Sequence, residues 1–127
     1  MMKKIKIKTK TVEMEAELND SRIAQEIWKA LPIISEINTW GKEIYFNVLL
    51  RRKLENPKTI VKIGEIGYWP QGPALCIFFG PTPISKPGEI RPASAVEIVG
   101  KILGNPEDLI NLRDGEEIRI EKIERNG

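Results

Sequence analysis

Two short runs near the start of the chain alternate with a period of two and carry opposite charge. Lys4, Lys6 and Lys8 interleave with Ile5 and Ile7, while Glu13, Glu15 and Glu17 interleave with Val12, Met14, Ala16 and Leu18. A period of two belongs to a strand with one face buried and one solvated. With a turn centred on Lys10-Thr11, Lys8 falls opposite Glu13, Lys6 opposite Glu15 and Lys4 opposite Glu17. Opposite charges directly across an antiparallel pair contribute about 0.2–1 kcal/mol each. The lysine row is therefore a solvated sheet face rather than a nucleic-acid or membrane patch. Its apolar partners need a core, so residues 3–18 commit the chain to an antiparallel sheet.

One helix follows. Asn19-Asp20-Ser21 supplies N-cap oxygens, and Ile23, Ala24, Ile27, Trp28 and Leu31 form an apolar stripe at helical spacing. Trp28 is expected in the core, and Pro32 stops the helix because the residue before a proline avoids the α region. The rest is strand and turn. Strands are expected over residues 33–39, 43–50, 59–63, 65–69, 74–79, 96–103 and 116–123, with one helical turn after Asn105 and a turn at Asp114-Gly115. In the second of these, Ile44, Phe46 and Val48 share one face and Tyr45 takes the other. About eight strands and one helix in a single domain spanning residues 1–127 point to a mainly β fold, a closed eight-stranded barrel with one capping α-helix.

Composition excludes several kinds of chemistry. The chain has no histidine, so a Ser-His-Asp triad, a His-assisted cysteine nucleophile and a His-ligated zinc site are ruled out. The net charge is only +2, which argues against a dedicated nucleic-acid binder. No apolar run approaches the roughly 18 residues of a membrane span, and lysines interrupt the only N-terminal apolar stretch, so export is not expected. The single cysteine, Cys76, sits in an apolar run and is expected to be a buried thiol in a reducing cytoplasm. No cofactor and no metal are expected. Abundant Lys, Glu and Ile with little Gln suits a thermophile. Glu43, Glu65 and Glu89 are isolated in sequence and are expected at the surface.

Residues 67–83 hold half of the aromatic side chains and four of the nine prolines. Adjacent aromatics occur twice, as Tyr68-Trp69 and Phe78-Phe79, and neighbours on a strand point to opposite faces. Only one of each pair can enter a given core. A proline-rich loop, residues 80–94, follows; such length without regular structure often marks a binding loop, or else a rigid strap over one barrel end.

The stretches Gly64-Glu65-Ile66-Gly67-Tyr68-Trp69-Pro70, Glu89-Ile90-Arg91-Pro92-Ala93-Ser94 and Trp40-Gly41-Lys42-Glu43-Ile44-Tyr45-Phe46, with the run 74–83, resemble the small prokaryotic cyclophilin-like proteins, an atypical branch of the cyclophilin fold. The resemblance spans nearly the whole chain and implies an eight-stranded barrel with a capping helix. Likeness to the peptidyl-prolyl isomerases themselves is local. Where those enzymes carry Gln-Phe-Phe on the active face, this chain has Ile77-Phe78-Phe79, which implies Phe79 in a groove and Phe78 in the core. The catalytic arginine segment and the active-site histidine have no counterpart, so no catalytic residue is assigned.

Three readings of the outward rings stand side by side. In the first, Tyr45, Tyr68, Trp69, Ile77 and Phe79, with Thr82 and Arg91 from the loop, form a groove for a small molecule or a proline-containing peptide. In the second, the loop covers these rings as a second core, and in the third they form a homodimer interface. The leading functional expectation is ligand binding. The alternatives are a divergent peptidyl-prolyl cis-trans isomerase, with Arg91, Arg51 or Arg52 as the donor to the prolyl nitrogen, and a homodimeric interaction protein.

Overall fold

The computed structural model describes residues 3–124. The N-terminal hairpin consists of β1 (Lys3–Lys8) and β2 (Glu13–Leu18), paired with Lys8 opposite Glu13, Lys6 opposite Glu15 and Lys4 opposite Glu17. This is the register that the charge pattern implies. The Lys8 ammonium lies 3.7 Å from Glu13 and 3.8 Å from Glu121 on the neighbouring strand. Both pairs are exposed, so each adds at most a few tenths of a kcal/mol. Ile5, Ile7, Met14, Ala16 and Leu18 on the opposite face are buried.

Helix α1 (Arg22–Ala30) is capped by Ser21, whose side chain accepts from the Ala24 amide at 3.2 Å. Ile23, Ala24 and Ile27 are buried over the barrel. Trp28 departs from its expected place in the core. It is half-buried at the barrel rim, packed against the core on one side, with the Lys3 and Lys122 ammonium groups 4.9 and 5.0 Å from its ring. The lysines come from β1 and the last strand, and their charges favour the ring face.

The remaining strands are β3 (Ile33–Glu36), β4 (Asn38–Thr39), β5 (Glu43–Asn47), β6 (Glu65–Trp69), β7 (Ala74–Phe78), β8 (Glu97–Ile102) and β9 (Glu117–Lys122). With β1 and β2 they form one nine-stranded antiparallel sheet in the order β3-β9-β1-β2-β8-β6-β7-β5-β4. Among the described residues the strand count is nine rather than about eight: the expected strand 59–63 drops out, while the expected strand 33–39 is divided in two at Ile37. Its first part pairs with β9 and its second with β5, the two far ends of the ribbon. Ile37 itself bonds Glu116 and Gly115 at 2.8 Å each. One segment thus serves both edges and nearly closes the barrel, which removes the exposed edges of an open sheet.

The expected strand 59–63 does not form. Residues 58–61 make two isolated bridges, Lys58 with Val96 and Val61 with Ile90, and only Val61 is buried. With no run of apolar residues on one face, this segment has too little to bury to build a ladder. The helical turn appears as a 3₁₀ turn, Pro106–Leu109, with Asn105 as its cap.

Candidate functional site

On the outer wall of the barrel β7 lies between β5 and β6. Register pairs Glu43 with Phe78, Tyr45 with Cys76, and Trp69 with Ala74, while Gly67 pairs with Cys76 from the other side. The outward face here has large rings at its margins and small groups between them: Gly67, Ala74 and Cys76. A Cβ at Gly67 would already stand 3.0 Å from Val96 and 3.4 Å from Phe78. Val96 and Phe78 thus fill the space over Gly67, and beside them Cys76 lines a depression walled by Tyr45 and Trp69, whose rings meet edge to face at 74° with centroids 6.2 Å apart.

The loop 80–94 roofs this depression and is itself tied down. Thr82 Oγ1 donates to the Arg91 carbonyl at 2.5 Å, and Ser85 Oγ accepts from the amides of Thr82 and Arg91 at 2.9 Å each. The Trp69 indole N–H donates to Ser94 Oγ at 2.6 Å, joining ring and roof. At the other side the turn 40–43 is closed by the Trp40 amide donating to the Glu43 carbonyl at 2.9 Å. Gly41 has φ +59°, where a side chain is strained, and a Cβ there would lie 2.7 Å from Pro83. The turn and the loop therefore dock through a glycine, which brings Trp40 to the rim.

The result is a cavity of about 260 Å³ lined by Trp40, Glu43, Tyr45, Trp69, Cys76, Pro92, Ala93 and Val96. Its walls are mostly aromatic and apolar, with one acidic side chain among them. Glu43 is 5 % exposed, and its Oε1 has no hydrogen-bond partner. Burial pushes its pKa up to about 7, and only a hydrogen bond with the Cys76 thiol opposes that. Burial first, and the facing carboxylate second, push the Cys76 thiol well above its ordinary range, so it is an inert thiol.

Of the residues expected at a groove, the structure brings together Tyr45 and Trp69. The others lie elsewhere. Ile77 and Phe79 point into the barrel core with Leu75, and Phe78 instead joins Cys76, Val61 and Val96 in a second cluster beneath the loop. The assignment of Phe78 inward and Phe79 to the groove is thus reversed. Both faces of β7 are buried, so period-two alternation separates the two rings without saying which side is the barrel. Tyr68 is fully buried in the barrel core, its hydroxyl donating to the Leu50 carbonyl at 2.6 Å and accepting from the Arg52 amide at 3.0 Å. Thr82 is buried as a loop tie, and Arg91 is held by Glu89, Nε to Oε2 2.8 Å. Arg52 is bonded to Glu26 of the helix, and Arg51 is exposed. Glu43, expected at the surface, is the buried carboxyl of the cavity. Its signal was its parity with Tyr45 on β5, next to the Trp40-Gly41 turn.

A small antiparallel barrel, nearly closed, with one helix over it and an aromatic cavity on its outer wall, belongs among the cyclophilin-like folds. A model described as "Cyclophilin-like" matches residues 3–121, and the chain belongs to that family. It is also similar to a solved structure, the solution structure of a hypothetical protein from Archaeoglobus fulgidus. The two are 39% identical with a TM-score of 0.81 over 96% of this chain and 95% of that one. No curated protein matches significantly. Among the described residues no helix is long and apolar enough to cross a membrane.

Proposed function

We propose that this barrel binds a small molecule in the cavity between Tyr45, Trp69 and Trp40, with Glu43 as its polar anchor. The observation that carries this reading is the Glu43 Oε1 atom, buried and unpartnered against an otherwise apolar lining. A buried acceptor without a donor costs about 1–3 kcal/mol. A few placed polar groups in an apolar, largely preformed cleft are the usual anatomy of a ligand site. A volume of about 260 Å³ suits a small molecule or one side chain rather than an extended peptide. Among the described residues no arginine lines the cavity, so the guanidinium donor considered for prolyl isomerisation is not part of its wall.

The three tryptophans supply the test. Trp40 and Trp69 line the cavity and Trp28 lies at the helix. In a fragment titration followed by NMR, bound compounds are expected to shift the indole N–H signals of Trp40 and Trp69 and leave Trp28 in place. A broad fragment set that moves neither indole rejects the site. The homodimer alternative has the same rings covered by a second copy, and a solution mass of one chain at micromolar concentration rejects it.

A further inference from the structure

The chemistry of the cavity selects among small molecules by charge. Trp40, Tyr45 and Trp69 present ring surface on several sides, and the edge-to-face arrangement of the last two opens an angle between them. Ring faces carry negative potential and attract cations. Glu43 adds an acceptor with a free lone pair at the same place. Two of the site's own donors are already committed, the Trp69 indole to Ser94 and the Cys76 thiol to Glu43. No lysine or arginine lines the cavity. Of the nearby cations, Arg91 is paired with Glu89, and Lys42, next to Glu43, is exposed with its stem lying along Gly80. The Tyr45 hydroxyl and the Trp40 indole N–H are neutral donors, so the site has an acidic acceptor and π faces and, among the described residues, no positive charge of its own.

We infer that the ligand is a protonated organic amine, its N–H donating to Glu43 Oε1 and its charge and alkyl groups resting against the rings of Trp40, Tyr45 and Trp69. This inference rests on the cavity being the binding site. A carboxylate that is desolvated and has no cation beside it gains most from a ligand that supplies both a donor and a positive charge. An anionic ligand would face the same carboxylate with no counter-charge, and a neutral one would leave its charge uncompensated wherever Glu43 is ionised, above about pH 7.

Binding of this kind depends on the ionisation of Glu43. The titratable groups that face it are Cys76 across on β7 and Tyr45 on its own strand; Phe78 lies directly opposite, and Pro92 and Ala93 of the loop carry no charge. Glu43 takes up its proton below about pH 7, so amine affinity falls about tenfold for each further pH unit below that.

The test uses n-butylammonium and its uncharged counterpart n-butanol, titrated by NMR into the wild-type chain and Glu43→Gln. The amine is expected to bind the wild type about tenfold or more tighter than the alcohol, from the ring contact and the charge-assisted bond together. The preference should shrink in Glu43→Gln to what the ring contact alone supplies, and weaken in the same way as the wild type is acidified. Equal binding of amine and alcohol, with both tryptophan signals moving, overturns the cation inference and leaves the cavity as a site for neutral ligands. Failure of both to move Trp40 or Trp69 overturns the inference and counts against the cavity as well. The acid titration of the wild type needs no variant, so a folding defect in Glu43→Gln does not remove the test.

Discussion

Replacing Glu43 with Gln should change the pH dependence of folding more than the folding itself. Glu43 has an ordinary carboxyl value of 4.5 when unfolded and about 7 in the folded chain, because burial disfavours its charge. Between those values the folded state holds a proton that the unfolded state releases, so stability falls as pH rises. The favourable condition is complete below the unfolded value and is lost as pH passes about 7. At about 1.4 kcal/mol per pH unit the whole effect is roughly 3 kcal/mol, of which about 2.5 falls between about pH 5 and about pH 8. Gln has nearly the same shape and does not titrate. The chain has no histidine, so few other side chains change charge in the upper part of that window. Urea denaturation of both proteins at several pH values isolates the residue as the difference between two curves. The two should be close at about pH 5, with the variant roughly 2.5 kcal/mol more stable relative to wild type at about pH 8. Curves that stay parallel within about 0.5 kcal/mol would refute the reasoning, because they would mean that Glu43 is solvated or paired in the folded chain.

Two further substitutions probe the framework around the cavity. Gly41→Ala puts a Cβ at φ +59° and 2.7 Å from Pro83, and is expected to lower stability by about 1–3 kcal/mol and loosen the loop over the cavity, read as a lower urea midpoint and a weaker Trp40 response to bound fragments. Glu97→Ala removes the buried carboxylate that accepts from the Glu55 and Asn56 amides at 2.6 and 2.9 Å. The expected cost is about 2–3 kcal/mol, with faster hydrogen exchange at those two amides; unchanged protection there would show that the segment is held by other contacts.

Much of the barrel was legible because it is local. The hairpin register follows from charges a few residues apart, and the helix from a capping serine and an apolar stripe. The division of the strand at Ile37 was not legible, since each of its halves takes its partner from a different end of the sheet. Nor was the charge environment of Trp28, because Lys3 and Lys122 reach it from opposite ends of the chain.

The candidate site divides along the same line. Alternation along β7 by itself separated Leu75, Ile77 and Phe79 from Cys76 and Phe78, and the clusters in the folded chain keep that partition. Which group faces the barrel was decided only by tertiary structure, because both faces of the strand are covered and both are apolar. The same holds for Glu43. Its parity with Tyr45 is written in the sequence, but the cavity it lines is completed by Pro92 and Ala93, from a loop some fifty residues further along the chain. Backbone pairing and local charge determine where a side chain points. Whether that direction leads to water or to an enclosed cavity depends on what the rest of the chain places over it.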